Sequence, residues 1–109
     1  MMANVVLEAE RIVDLDSFHE ESRQAFGFPE FYGCNMDAWI DCLSYLRDDD
    51  AMSKFRLGPD ETLRIELLHA DLLREKAPEI LTELTLCVDA INERYEDYGE
   101  KPTLELILR

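Results

Sequence analysis

The chain has 109 residues, of which 25 are acidic and 11 are basic, so its formal net charge at pH 7 is −14. This length fits one domain, 1–109, whose single core needs no disulfide or metal to hold it together. The surplus of carboxylates disfavours direct binding to nucleic acid or to an anionic membrane, because both require Lys and Arg to neutralise phosphates. It favours a basic protein partner, although solubility alone would also explain it.

The composition also bears on the cellular compartment. The start of the chain has no basic segment followed by an apolar run, and no window approaches the roughly 18–20 apolar residues of a membrane span. Cys34, Cys42 and Cys87 are an odd number of thiols without CxxC spacing, which is typical of a reducing compartment. We therefore expect a cytoplasmic protein without cofactor or metal, with Cys42 and Cys87 in the core and Cys34 in a loop.

The first predicted elements are a strand and a helix. The continuous apolar run within 4–8 predicts a strand that is covered on both faces. A helix follows, with Asp14 or Asp16 as candidate N-caps and a capping box formed by Ser17 and Glu20. Its apolar stripe ends at Gly27, a residue type typical of helix C-termini.

Residues 28–35 predict a tight loop between this helix and the next. Pro29 keeps Phe28 out of the helical region of backbone space, and Gly33 is expected to adopt angles closed to other residues at the loop tip. Asn35 is the predicted N-cap of the second helix, which we expect to close near Arg47.

The second helix is predicted to have a buried and an exposed side. Spacing places Met36, Ile40 and Leu43 inward, with Trp39 and Leu46 less central, and Asp37, Asp41, Ser44 and Asp48 outward. The helix dipole explains Asp37 in the first turn, whereas Asp41 lies further in and repels Asp37 by about 0.2–0.5 kcal/mol. A like-charge pair beside the exposed aromatics Phe31 and Tyr32 is typical of a surface for a cationic partner. A solvated acidic face is the alternative.

The remaining chain completes an α/β pattern. We predict an irregular connection over 48–61, a strand over 62–68, a short helix that Asp71 caps, a long helix from Pro78 to Gly99 and a strand over 103–108. The long helix carries an apolar stripe formed by Ile80, Leu84, Cys87, Val88, Ile91, Tyr95 and Tyr98. The order β-α-α-β-α-α-β predicts a three-stranded parallel sheet packed with about four helices.

Motifs of catalysis are lacking in the sequence. There is no glycine-rich phosphate loop, no GxSxG turn and no zinc-ligand spacing, and the aspartates at 48–50 lack the spacing of a calcium loop. His19 and His69 are expected to be ordinary surface or capping side chains. Asp37 and Asp41 lack the burial that would separate the roles of an acid and a base. We therefore expect a binding protein and not an enzyme.

Residues 29–43 carry the pattern Pro-Glu-Phe-Tyr-Gly-x-Asn-x-Asp-Ala-x-x-Asp-Cys-Leu, which resembles the signature of the barstar family. Members of that family are intracellular inhibitors of a secreted bacterial ribonuclease, barnase. The resemblance implies a barstar-like fold whose loop and second helix plug the ribonuclease active site. It also implies that Asp41 takes the place of a substrate phosphate among basic side chains and that Asp37 makes further polar contacts there.

The resemblance implies a set of partner-binding residues, which comprises Phe31, Tyr32, Gly33, Asn35, Asp37, Ala38, Asp41 and Glu93. Glu93 is taken from a second acidic cluster, near the end of the last helix. The implied partner is a basic ribonuclease of the barnase or a related toxin type, and we expect the free protein to be monomeric. Phe31 stands where the family has Tyr, Cys34 replaces an acidic residue and Trp39 is displaced by one position. The alternative function is an acidic adaptor or nucleic-acid mimic that binds another basic protein.

Overall fold

The computed structural model describes residues 3–48 and 52–109. The elements in order are β1 (Ala3–Glu8), a short 3-10 helix (Ala9–Arg11), α1 (Leu15–Phe26), α2 (Met36–Leu43), β2 (Leu63–Leu68), α3 (Ala70–Lys76), α4 (Pro78–Asp97) and β3 (Leu104–Leu108). The three strands are parallel and lie in the order β1-β2-β3. The predicted α/β fold is confirmed, and the 3-10 helix is an addition to it.

The sheet is buried on one face and open on the other. In β1, Leu7 is fully buried while Val6, which points to the opposite face, is 42% exposed. The prediction that β1 is covered on both faces is therefore wrong, because buried and exposed side chains alternate along its apolar run. On the open face, Glu66 of β2 accepts hydrogen bonds from Asn4 Nδ2 (3.1 Å) and Arg109 Nη2 (2.8 Å), so polar pairs there join all three parallel chain segments.

Two helix starts differ from their predictions. At α1, Asp14 accepts from the backbone N–H of Ser17 (2.8 Å) and Ser17 Oγ accepts from the backbone N–H of Asp14 (3.0 Å). The capping box is thus Asp14 with Ser17, and the predicted pairing of Ser17 with Glu20 is wrong. At α3 the N-cap position is His69, with φ +57° and no side-chain cap bond, whereas Asp71 lies within the first turn. The predicted end of α1 at Gly27, with φ +67°, and the predicted start of α4 at Pro78 are confirmed.

The last helix and strand are joined by one amide side chain. Asn92 Oδ1 accepts from the backbone N–H groups of Thr103 and Leu104 (both 2.9 Å), and Asn92 Nδ2 donates to the Leu104 carbonyl (2.9 Å). The predicted apolar stripe of α4 is buried up to Tyr95, but Tyr98 is 84% exposed. The helix ends at Asp97, so the periodicity that placed Tyr98 on the stripe no longer applies there.

The connection after α2 is organised by Arg47. The helix ends at Leu43, four residues before the predicted end, and a turn follows it. The Arg47 guanidinium donates to the carbonyls of Glu61 and Lys101 (both 2.9 Å) and lies 5.1 Å from the centre of the Tyr95 ring. The Arg47 side chain is only 5% exposed. Its burial is possible because these carbonyls accept from several of the guanidinium N–H groups.

The thiols lie as predicted, with Cys42 and Cys87 buried, Cys34 exposed and all three free. The aspartates at 49 and 50 lie outside the described residues. Within the described ranges, the helices lack the combination of length and apolar character needed to cross a membrane.

Replacing Asn92 with alanine should lower the free energy of unfolding by about 1–3 kcal/mol, because two backbone N–H groups at the start of β3 lose their acceptor. Urea denaturation followed by circular dichroism measures this change. Asp89→Ala, one turn away and exposed, is the control and should stay within about 0.5 kcal/mol of the unmodified protein. Equal stability of the two variants would contradict the role given to Asn92.

Candidate partner-binding site

The loop between α1 and α2 is fixed at its base by backbone hydrogen bonds. Gly27 takes the left-handed conformation that ends α1, and the Phe26 carbonyl accepts from the backbone N–H of Lys54 (2.8 Å). A Cβ on Gly27 would come within 3.0 Å of Lys54 Cβ, so both the angle and the space favour glycine. Further along, the Tyr32 N–H donates to the Pro29 carbonyl (3.0 Å), which forms a turn.

An aromatic cluster supports this loop from below. Phe26 and Phe28 stack with ring centres 5.2 Å apart, Phe28 lies 4.6 Å from Tyr32, and Phe26 meets Trp39 edge to face at 5.8 Å. The indole N–H of Trp39 donates to Ser22 Oγ (3.2 Å) on α1. The loop backbone therefore rests on interlocking rings and is held in a defined shape.

Trp39 determines how α2 is rotated. Its side chain is fully buried, together with those of Cys42 and Leu43, whereas Met36 and Ile40 are only half-buried. The predicted inward side is thus wrong in its centre, which is Trp39 and not Met36 or Ile40. An aromatic ring gains more from burial than an unbranched or aliphatic side chain, so the helix turns to place the indole in the core.

The two neighbouring aromatics of the loop point in opposite directions. Phe31 is 77% exposed, whereas Tyr32 is 7% exposed and a hydrogen bond joins its hydroxyl to Nδ1 of the buried His19 (2.6 Å). The expectations that Tyr32 is an exposed aromatic and that His19 is a surface side chain are both wrong. Burial raises the pKa of Tyr32 and lowers that of His19, so both are neutral near pH 7.

The loop tip uses its residues in another way than predicted. Positive φ occurs at Cys34 (+52°) and not at Gly33, so the conformational role assigned to Gly33 is wrong. A Cβ on Gly33 would lie 3.3 Å from Asn35 Nδ2, and the absence of a side chain leaves room for the cap. Asn35 is the N-cap, as predicted, with Oδ1 accepting from the Ala38 N–H (2.7 Å) and Nδ2 donating to the Gly33 carbonyl (3.3 Å).

The acidic face of α2 follows from the position of Trp39. A helix turns by roughly 100° per residue, so Asp37 and Asp41 both lie about 160° from Trp39 and about 40° from each other. Both aspartates are exposed. On the neighbouring helix α4, burial raises the pKa of the Cys87 thiol to about 11, and the carboxylates of Glu83 and Asp37 add to this shift.

Five of the eight predicted partner-binding residues surround one surface depression. The depression has a volume of about 210 Å³ and is bordered by Phe31, Tyr32, Gly33, Ala38, Asp41, Cys42 and Met52. Asp37 and Asn35 belong to the first turn of the same helix and to its cap. The structure thus brings the loop and α2 residues of the predicted set into one surface, on which Asp41 is the charged member of the depression.

Sequence reasoning missed a cation at this surface. Arg94 Nη1, on α4, lies 3.8 Å from Asp41 Oδ1 and donates to Ser44 Oγ (3.0 Å). Glu93, the predicted carboxylate from α4, is exposed and is the neighbour of Arg94 in sequence. The apolar stripe of α4 could have indicated Arg94. Tyr95 belongs to this buried stripe, so the residue before it lies at the edge of the stripe, where α4 meets α2.

A separate group of ligand-type atoms lies at the carboxyl ends of β1 and β2. Within the described residues, one oxygen each from Glu8 and Glu10 and one imidazole nitrogen of His69 lie within 4.8 Å of one another. His69 Nδ1 is 2.8 Å from Glu8 Oε2, and this hydrogen bond raises the pKa of His69. An ion pair accounts for the group, which shares no residue with the depression.

Acid should destabilise the protein through His19. The buried imidazole has a lowered pKa, so below about pH 6.5 the unfolded chain binds a proton that the folded chain resists, and stability falls as the pH decreases. Chemical denaturation between pH 5 and 7 should show a smaller slope in His19→Gln. His69→Gln is the control, since the pKa of His69 is raised: its contribution to stability is full below about pH 6.5 and is lost only as the pH rises through the raised pKa. An unchanged slope in His19→Gln would contradict the assignment.

The family model described as Barstar (barnase inhibitor) matches residues 2–107. No curated protein matches the chain.

Proposed function

Because the chain belongs to the barstar family, we propose that it inhibits a ribonuclease of the barnase type by plugging its active site. The observation that carries the proposal is the presentation of Asp41, an exposed carboxylate at the border of the depression, on a helix that the buried Trp39 fixes.

Asp41 acts as a substitute for a substrate phosphate. Its side chain is 63% exposed, so its oxygens are available to the Arg, Lys and His side chains that a ribonuclease uses to hold phosphate. Transfer of a carboxylate from water into an interface costs free energy unless the charge is fully paired there. The basic site of a ribonuclease supplies that pairing, and Asp37, one helical turn away, makes further polar contacts.

The loop supplies shape and apolar contact. Phe31 exposes most of its ring beside the charged depression, and an aromatic at the centre of a charged patch is typical of interface hot spots. The adjoining surface has few protruding side chains, because Gly33 and Ala38 are small. The loop tip is held by the Asn35 cap, which accepts from the Ala38 N–H. Because ring packing and the Asn35 cap already hold the loop in one shape, we expect little conformational entropy to be lost on binding.

The acidic charge of the whole chain speeds the encounter. A net charge of −14 attracts a basic enzyme and repels RNA, so the inhibitor competes for the enzyme without binding the substrate. We place this non-catalytic protein in the cytoplasm as a monomer, where it protects its producer from a ribonuclease toxin. Glu93 extends the acidic face on α4.

Asp41→Ala should abolish tight inhibition while leaving the fold intact. We expect a loss of at least about 2 kcal/mol in binding free energy, because Asp41 supplies the anion that the enzyme site is built to hold. The free energy of unfolding should change by no more than about 0.5–1 kcal/mol, as for other exposed ion-paired residues. Inhibition is measured by titrating the protein into barnase while RNA cleavage is monitored. Stability is measured by urea denaturation.

The control for Asp41 is Asp71→Ala. Asp71 is exposed on α3 and paired with Arg74 (2.9 Å), so its removal changes the net charge by the same amount away from the site. Inhibition that declines equally in both variants would indicate a diffuse nucleic-acid mimic and would contradict the plug. Unfolding of Asp41→Ala would show that the residue serves the fold.

Phe31 and Tyr32 should separate binding from folding, although they are neighbours. Phe31→Ala should weaken inhibition by about 1 kcal/mol or more with little change in stability, since the ring is exposed in the free protein. Tyr32→Ala should destabilise the fold by about 3–5 kcal/mol, because it empties space in the aromatic cluster and leaves His19 without its partner. Inhibition assays and urea denaturation of both variants test this, and a reversed pattern would contradict the site.

A further inference from the structure

Arg94 is held against the acidic face by contacts that fix its position. Ser44 Oγ donates to the Ile40 carbonyl (2.6 Å), so its lone pairs are left to accept from Arg94 Nη1 (3.0 Å). The next residue, Tyr95, donates its hydroxyl hydrogen to the Ser44 carbonyl (2.6 Å) and thereby secures α4 against the end of α2. The guanidinium of Arg94 therefore has a defined place beside Asp41.

The surface that contains Asp41 is consequently not uniformly negative. Arg94 Nη1 lies 3.8 Å from Asp41 Oδ1, and the two side chains are 54% and 63% exposed. Both charges face solvent side by side, so a partner that covers Asp41 also meets Arg94. A partner site built of cations alone would place its own positive charges next to the guanidinium, and like charges at close range oppose binding.

We propose that Arg94 is a specificity-determining residue that selects ribonucleases with a carboxylate beside their phosphate-binding cations. This inference rests on the proposed function. A ribonuclease that activates a ribose hydroxyl needs a general base, and the carboxylate of Glu or Asp is one of the groups that can act as this base. In the complex, Asp41 pairs with the cations of the ribonuclease and Arg94 pairs with its carboxylate. Positive and negative charges thus alternate across the interface. Planar guanidinium groups suit such a contact because they bind carboxylates through two parallel hydrogen bonds.

The test is a double-mutant cycle measured by calorimetry. One axis is Arg94→Ala in this protein, and the other is barnase against a barnase variant whose carboxylate nearest the phosphate site is replaced by glutamine. We expect Arg94→Ala to weaken binding to barnase about tenfold and to change binding to the glutamine variant by less than about threefold. Because the readout is binding, the activity of the ribonuclease variant does not matter.

Arg74→Ala is the matched control. Its side chain is also 54% exposed and also pairs with a carboxylate, that of Asp71, but it lies on α3. It makes the same change in net charge, so any general effect of long-range attraction appears equally in both variants. Arg74→Ala should change the affinity for both forms of barnase by the same small factor, less than about threefold, which measures the long-range effect alone.

The other outcomes are distinguishable. Tighter or unchanged binding of Arg94→Ala to barnase, or an equal loss with both forms of the enzyme, would overturn the role of Arg94 and leave the inhibitor function standing. Absence of binding by the unmodified protein would overturn the proposed function, and the role of Arg94 with it.

Discussion

The burial of Trp39 is the constraint on which the proposed binding surface depends. Its ring is enclosed by Phe18 and Phe26, and its indole N–H has a partner in Ser22, so the helix has one rotation that satisfies both the apolar ring and its polar atom. That rotation turns the opposite side of α2 toward solvent. The exposure of the acidic pair is thus a consequence of core packing, and the proposed binding surface requires no charge in the core.

The same constraint explains which features the sequence could predict. Local rules were sufficient for the element order, the Asn35 cap and the Gly27 terminus, because each depends on neighbours within a few residues. The opposite directions of Phe31 and Tyr32 depend on His19, which lies in another element, and no local pattern carries that information. Arg94 is separated from Asp41 by more than fifty residues, so their contact depends on how two helices pack.

The surface combines rigid support with a mixed charge. The aromatic rings and the cap fix the loop, while the residues above them are exposed and contribute little to the core. Such a division lets surface residues change without loss of the fold. In this chain Phe31, Cys34 and Arg94 are exposed members of the proposed surface and lie outside the core. Specificity among related partners arises from both attractive and repulsive elements, and the role proposed for Arg94 would supply one of each.

The parallel sheet and α4 also bear on the order in which parts of this surface can form during synthesis. Val5 pairs with Ile65, and Ile65 pairs with Leu106, so the sheet closes loops that span most of the chain. Contacts of such long range slow folding, because the chain entropy is lost before the contacts form. The turn after α2 is held by Tyr95 and by the Lys101 carbonyl. A nascent chain that has left the ribosome only as far as α3 therefore carries the loop, α2 and the aromatic cluster that supports them, but not yet the residues that hold the turn after α2.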